Sequence, residues 1–312
     1  MANTTNTTNL DQLIRENYQN SLIVASVLSI FGLPGNIVVI ILISRAKQKK
    51  STMTYLLLSL AIADIVNLLG VDVIAIWHFL HPQKHKKVTY LLLIFPAKVA
   101  TTFTLGALAL ERYDAVVKSM KIDITKKKIL VGITSAWLVG TILCACMVHV
   151  VDMREPHARV THALWTLLLL AINVPLVVIL FCYASILKSL YVDGTILGRE
   201  NTSTERMKET KRLIRILIVI TLVFLACNVP TIVTLMVKSY RKSSESEMNA
   251  LYLSAVVVEC ISSTLNPYVY GLQSKKYRSQ VKELFSRSEL VIEEQTYMTE
   301  DYSLHEVYDT KM

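Results

Sequence analysis

Long apolar stretches alternate with short polar ones along most of this chain. Each apolar stretch is about as long as the ~20 helical residues that cross the hydrocarbon core of a bilayer. None of them has the alternating, strand-length pattern of an outer-membrane barrel. The pattern therefore predicts an all-α membrane protein, a seven-transmembrane helix bundle within residues 22–273. The predicted spans are residues 22–44, 53–77, 89–115, 129–151, 163–190, 213–237 and 248–271.

Basic residues gather on one side of the predicted membrane. The connections that follow the odd-numbered spans carry fifteen Lys and Arg, against nine on the opposite side. By the positive-inside rule this predicts an extracellular amino terminus and a cytoplasmic carboxyl terminus. Two N-glycosylation sequons, which begin at Asn3 and Asn6, agree with that orientation. Residues 1–21 are therefore predicted to be an extracellular glycosylated tail of a multi-pass plasma-membrane protein.

The chain changes character twice after the last span. Tyr277, Val281 and Leu284 recur at helical spacing among Lys and Arg, which predicts an amphipathic juxtamembrane helix over residues 274–286 on the inner leaflet. Residues 287–312 are acidic and rich in Ser, Thr and Tyr, a composition typical of a disordered cytoplasmic tail. The hydroxyl groups of this tail are candidate phosphorylation sites.

The net charge of +9 does not indicate a nucleic-acid partner, because the basic residues lie beside the membrane spans. No nucleophile with a neighbouring base and no phosphate-binding glycine loop is found within the spans, so an enzyme is not expected. A transporter would favour inverted repeats or discontinuous helices, and the chain shows neither.

Several motifs follow one another in a fixed order through the seven spans. They are Gly35-Asn36 in the first, the run LAIAD that ends at Asp64 in the second, Glu111-Arg112-Tyr113 in the third, Trp137 in the fourth, Pro175 with Tyr183 in the fifth, Phe224, Cys227 and Pro230 in the sixth, and Asn266-Pro267-Tyr268-Val269-Tyr270 in the seventh. With this set, the chain resembles the rhodopsin-like (class A) G-protein-coupled receptors over residues 22–285.

The resemblance implies that an extracellular ligand moves the cytoplasmic end of span six outward and opens a cleft for a heterotrimeric G protein. It also implies that arrestin and receptor kinases bind through the tail, and that lipids surround the bundle. The residues implied in coupling and in the activation switch are Glu111, Arg112, Tyr113, Tyr183, Pro230, Asn266, Pro267 and Tyr270.

Asp64 lies among apolar residues of span two and is the centre of an implied polar core. Its candidate neighbours offer oxygen atoms that could hold an allosteric sodium ion together with water. These neighbours are Asn36, Thr101, Ser263 and Asn266. No other metal and no cofactor is expected.

Three departures from the family pattern weaken the restraints on the resting state. No cysteine stands at the top of span three or in the following outer loop. Asn228 stands where the family usually has a tryptophan, two residues before Pro230, and Thr210 stands where an acidic residue often braces Arg112. We therefore expect raised basal signalling.

Lys98 lies in the middle of span three, where a charge costs at least ~2.5–3.5 kcal/mol. It precedes Arg112 by fourteen residues, so the two lie ~40° apart on the helix and about 21 Å apart along it. Because Arg112 faces the bundle interior in this family, Lys98 should do so as well. Glu259, the one acid of span seven, lies on nearly the same face as Asn266 and is the expected partner of Lys98.

Three interpretations of these two charges stay open: an ion pair that holds the resting state, direct contacts to the ligand, or separate solvation. The predicted ligand pocket consists of Lys98, Glu259, Asn228, Asp72 and Ile94.

Six of the seven histidines, with several lysines, fall on or beside the predicted outer loops. This basic rim could attract an acidic peptide or lipid, could sense protons by titrating at mildly acid pH, or could simply be solvated. A non-signalling decoy or scavenging receptor of the same fold is a further alternative.

Overall fold

The computed structural model consists of helices that run through the predicted spans. The residues that it describes are 2–45, 52–80, 87–118, 126–152, 158–191, 211–212, 214–228, 256–269, 277–284 and 286.

Eight helices are present in these described segments, and no strand occurs in them, so the prediction of an all-α fold is confirmed. Four of the helices contain stretches long and apolar enough to cross a membrane, at Gln19–Arg45, Thr52–Trp77, Lys126–His149 and Leu169–Ser189. The helices are α1 (Ala2–Arg45), α2 (Thr52–Leu80), α3 (Lys87–Tyr113), α4 (Lys126–Asp152), α5 (Ala158–Tyr191), α6 (Ile214–Asn228), α7 (256–269) and α8 (277–284).

Helix α1 begins far earlier than the apolar stretch that predicted it. It starts at Ala2 and continues through Pro34 to Arg45. No proline and no glycine occurs between Ala2 and Phe31, so the sequence contains no strong helix breaker there. Hydropathy alone marks the part of a helix that lies in the hydrocarbon core and leaves its polar extension undetermined.

The chain divides into two compact units, Met1–Val269 with α1 to α7 and Tyr270–Met312 with α8. In α8 the charged side chains of Arg278, Lys282 and Glu283 are exposed, whereas Val281 and Leu284 are half-buried. The described part of α8 therefore has an exposed charged face and a half-buried apolar face.

The first unit exposes many apolar side chains, and it buries polar side chains together with the apolar ones of its core. Along α5, Leu170, Val174 and Val177 repeat at helical spacing and are half or more exposed. Thr104 is fully buried, and its hydroxyl forms a 3.1 Å hydrogen bond with that of Ser59, which joins α3 to α2. A bilayer favours this arrangement because hydrocarbon offers no hydrogen-bond partners to polar groups.

Helix α3 is the axis of the first unit and packs against α2, α4 and α5. In its contact with α4, a Cβ atom at Gly140 would lie 2.9 Å from the Cα of Pro96, so the two helix backbones approach closely there. Its contact with α5 has more room at Gly106, where a Cβ atom would lie 3.6 Å from the Cβ of Pro175. Small residues at such interfaces let helix backbones approach closely within a membrane.

We predict that Gly140→Ala lowers the unfolding temperature of the purified protein, because the new methyl group would meet the α3 backbone, and overpacking typically costs about 1–3 kcal/mol. Gly106→Ala is the matched control. It should be neutral or slightly stabilising, since alanine favours a helix over glycine by roughly 0.5–1 kcal/mol. Equal unfolding temperatures for the two variants would contradict the close α3–α4 contact.

Candidate functional site

A buried ion pair joins α3 to α7 inside the first unit. The Nζ atom of Lys98 donates a hydrogen bond to Oε1 of Glu259. The two side chains are only 8% and 11% exposed. The partner that helical spacing predicted for Lys98 is therefore the one that the structure gives it.

The ion pair borders a small cavity between helices α2, α3, α6 and α7. Water-sized molecules have ≈ 30 Å³ of free space for their centres in it, and one water needs roughly 10–15 Å³ of such space. The cavity brings residues of the predicted ligand pocket and of the predicted polar core onto one wall. Its lining is Asp64, Asn67, Ala97, Lys98, Thr101, Phe224, Asn228, Glu259, Ser262 and Ser263.

A hydrogen-bond network around Asp64 ties three helices together. The Asn266 amide donates to Oδ2 of Asp64 over 2.7 Å, and the Ser263 side chain also hydrogen-bonds with this carboxylate. Asn36 of α1 donates to the carbonyl oxygens of Gly32 and Ser263, at 3.0 Å each. The predicted core residues thus meet, but Asn36 binds backbone of α1 and α7.

Asn67 belongs to the site although the sequence analysis did not single it out. Its amide donates to Oγ of Ser263 over 3.1 Å, and it lines the cavity beside Asp64. Its position three residues after Asp64 places it on the same face of α2, which is the spacing that could have identified it.

Asn228 lies at the end of α6, and only one of its two side-chain polar atoms has a hydrogen-bond partner among the described residues. It is 2% exposed, and its amide nitrogen donates to the carbonyl oxygen of Phe224 over 2.7 Å. Its Oδ1 atom has no hydrogen-bond partner among the described residues. Since Asn228 lines the cavity, it brings an unused acceptor to the site.

Two members of the predicted ligand pocket lie elsewhere. Ile94 packs in an apolar cluster with Leu22, Leu68 and Val256, because helices α1, α2 and α7 close around it. Asp72 hydrogen-bonds with Ser26 and Ser29 of α1. Neither Ile94 nor Asp72 is among the described residues that line the cavity.

Arg112, near the other end of α3, is loosely held. Its Nη2 atom lies 3.8 Å from Oε2 of Glu111 and 2.8 Å from the sulfur of Met53 on α2. Within the described part of the chain, Glu111 Oε2 and Arg112 Nε have no hydrogen-bond partner. A π-helical turn, Asp114–Lys118, follows directly. Such turns are frequent at functional sites.

The neighbouring helices contribute two tyrosine contacts at this level of the bundle. The Thr221 hydroxyl of α6 donates to the buried Tyr183 hydroxyl of α5 over 3.4 Å. The Tyr113 ring lies 5.9 Å from that of Phe181. These contacts join the end of α3 and the middle of α6 to α5.

The remaining predicted site residues are placed only in part. Pro267 packs closely against Gly35, where a Cβ atom would lie 2.7 Å from the proline ring. Asn3 and Asn6 lie within the range of α1. Pro230, Tyr270, Thr210, the acidic tail and most of the basic rim lie outside the described residues.

Residues 35–270 match the profile of the 7 transmembrane receptor (rhodopsin family). That range holds the ion pair, the Asp64 network and Arg112. The chain belongs to this family. It is a multi-pass plasma-membrane protein of the G-protein-coupled receptor class, and it is a receptor rather than an enzyme.

Individual receptors are related to this one at low identity. The chain is 28% identical to the human C-C chemokine receptor type 6, over 81% of this chain and 73% of that receptor. It is 26% identical to the Bos taurus somatostatin receptor type 5, over 81% and 72% of the two chains. It is 22% identical to the tachykinin-like peptides receptor 86C of Drosophila melanogaster, over 82% and 56%.

We predict that Lys98→Ala and Glu259→Ala each lower the unfolding temperature of the purified receptor strongly. Removal of one partner strands a buried charge, which costs about 3–5 kcal/mol. The charge-swapped double variant, Lys98→Glu with Glu259→Lys, should recover part of the loss. Lys128→Ala, an exposed lysine on α4, is the control. Strictly additive effects of the two substitutions would contradict the pairing.

Proposed function

We propose that this receptor transmits the binding of an extracellular peptide to a heterotrimeric G protein. The observation that carries the proposal is the buried Lys98–Glu259 pair, set in a cavity on the same helix that ends in Arg112. A ligand that breaks the pair alters the contact between α3 and α7. Helix α3 then carries the change to its Arg112 end.

The proposed orientation has the amino terminus outside and the carboxyl terminus in the cytoplasm. It is supported by the excess of Lys and Arg on the proposed inner side and by the sequons at Asn3 and Asn6. In this orientation the Arg112 end of α3 faces the G protein, and the ion pair lies in the outer half of the bundle.

We further propose raised basal activity. Arg112 is 3.8 Å from Glu111, which is longer than a charge-assisted hydrogen bond. A guanidinium that is held so weakly costs little to release toward backbone carbonyls of a G protein. Asn228, in place of a large aromatic side chain, leaves less packing to hold α6.

A peptide ligand is supported by the relatives, among them a receptor named for tachykinin-like peptides. The basic rim favours a ligand with acidic groups on the part that meets the loops, either an acidic peptide or an acidic lipid. Asp64, Thr101 and Ser263 line the cavity with a carboxylate and hydroxyl oxygens, the ligand chemistry that would hold an allosteric sodium ion. Arrestin, receptor kinases and membrane lipids complete the proposed partners.

The coupling experiment measures guanine-nucleotide exchange on a panel of G-protein families, without ligand, in membranes with the wild type or Arg112→Ala. We expect measurable exchange from the wild type on at least one family and its loss in Arg112→Ala, because the guanidinium contacts the G protein. Lys128→Ala should leave exchange unchanged. Basal output equal to that of empty membranes, at verified surface expression, would contradict raised basal activity.

A decoy or scavenging receptor would give a different result in the same cells. It would internalise a peptide without nucleotide exchange, with or without Arg112. Internalisation with no exchange on any G-protein family would replace the proposed function by that alternative.

The orientation is tested by glycosylation. We predict that Asn3→Gln and Asn6→Gln each increase the mobility of the receptor on a gel by one glycan, because both asparagines face the lumen during synthesis. Asn9→Gln is the matched control, since Asn9 is followed by Leu10 and Asp11 and forms no sequon. A receptor whose mobility does not change on treatment with a glycosidase would contradict the outward position of these residues.

A further inference from the structure

The side-chain amide of Asn228 has a fixed orientation. Its nitrogen donates to the Phe224 carbonyl oxygen over 2.7 Å, and a flipped amide would place two oxygens against each other. Its Oδ1 atom therefore points away from its own backbone. That atom is buried, and it has no donor within the described part of the chain.

The unpaired oxygen shares a cavity with the ion pair. Lys98, Asn228 and Glu259 all line this space. A ligand group that binds Glu259 would leave the ammonium of Lys98 buried without its partner. A buried charge needs a new acceptor close by, and Asn228 Oδ1 is an acceptor to which no described residue donates.

The buried polar atoms that lack hydrogen-bond partners also indicate whether the ligand group that enters the cavity is positively or negatively charged. Among the described residues, the buried side-chain atoms without partners are Asp72 Oδ1, Glu111 Oε2, Arg112 Nε and Asn228 Oδ1. Of these four atoms, only Asn228 Oδ1 belongs to a residue that lines the cavity, so the described residues bring an unused acceptor to it. A cationic group leaves Lys98 in need of an acceptor, which is available.

We infer that Asn228 is a second acceptor for Lys98, and that the ligand group which reaches this cavity is a cation, an amine or a guanidinium, that binds Glu259. When the Lys98 ammonium moves from Glu259 to Asn228, the ion pair between α3 and α7 is lost and a hydrogen bond between α3 and α6 forms. The cationic group of the ligand binds in the cavity, whereas the acidic groups proposed for the same ligand contact the outer loops. The inference rests on the proposed receptor function, but its test needs no G protein.

The first experiment is a double-mutant cycle on the purified receptor, read as unfolding temperature. Glu259→Gln mimics an engaged carboxylate by removing its charge. Asn228→Leu should lower the unfolding temperature more in the Glu259→Gln background than in the wild type, where it removes only an unpaired oxygen. Asn228→Asp in the Glu259→Gln background should raise the unfolding temperature, because it offers Lys98 a charged acceptor.

Asn173→Leu is the matched control for this cycle. The Asn173 amide on α5 donates to the Leu169 carbonyl over the same 2.7 Å, and Asn173 does not line the cavity. Its substitution should have equal effects in both backgrounds. An equal effect of Asn228→Leu in both backgrounds would overturn the inference. The inference would also be overturned if Asp64→Asn, and not Asn228→Leu, changed the unfolding temperature by different amounts in the two backgrounds. That result would indicate that Lys98 transfers to Asp64.

The second experiment tests the charge of the entering group with small probes. Methylammonium and methylguanidinium, each against choline at equal ionic strength, should shift the unfolding temperature of the wild type and not that of Glu259→Gln. The stronger of the two probes distinguishes an amine from a guanidinium as the ligand group. A shift with acetate that disappears in Lys98→Met, or no shift with either cation, would overturn the assignment of a cation.

Discussion

A lysine inside a membrane bundle constrains the arrangement around it. An isolated charge at that depth costs at least ~2.5–3.5 kcal/mol, so Lys98 requires Glu259, and α3 and α7 must lie side by side to bring the two together. The pair in turn holds polar groups around a small cavity. Without the contact between α3 and α7, the cavity beside Asp64 would lose the side that α7 provides.

Polar groups of the bundle interior are paired more completely near Lys98 than near Arg112, at the other end of α3. Near Lys98 the side chains are charged and paired, and in the Asp64 network most donors have partners across helices. Near Arg112 the ion-pair distance to Glu111 is 3.8 Å, and two polar atoms have no partner within the described residues. A packed helix moves as a rigid body more readily than it bends. A displacement of α3 near Lys98 would therefore also displace its Arg112 end, where fewer contacts resist the movement.

Close backbone contacts support this rigidity. Gly140 brings α4 against the α3 backbone at Pro96, and Gly32 brings α1 against Thr264 of α7. Within a membrane these contacts matter more than apolar burial, since lipid tails are as apolar as leucine. Many large apolar side chains face outward, whereas others, such as Leu60, Leu105 and Ile179, are fully buried beside the polar groups of the interior.

The sequence by itself determined the helical class, the location of the spans, and the face of α3 that carries Lys98 and Arg112, because hydropathy and the 3.6-residue period act locally. It also identified Glu259 as the partner of Lys98, since a buried charge leaves few choices. Only the tertiary structure decided that Ile94 and Asp72 lie away from the cavity, that Asn36 binds backbone of α1 and α7, and that Asn228 keeps an unpaired oxygen. Those outcomes depend on how neighbouring helices rotate and pack, and the period of a single helix carries no information about that.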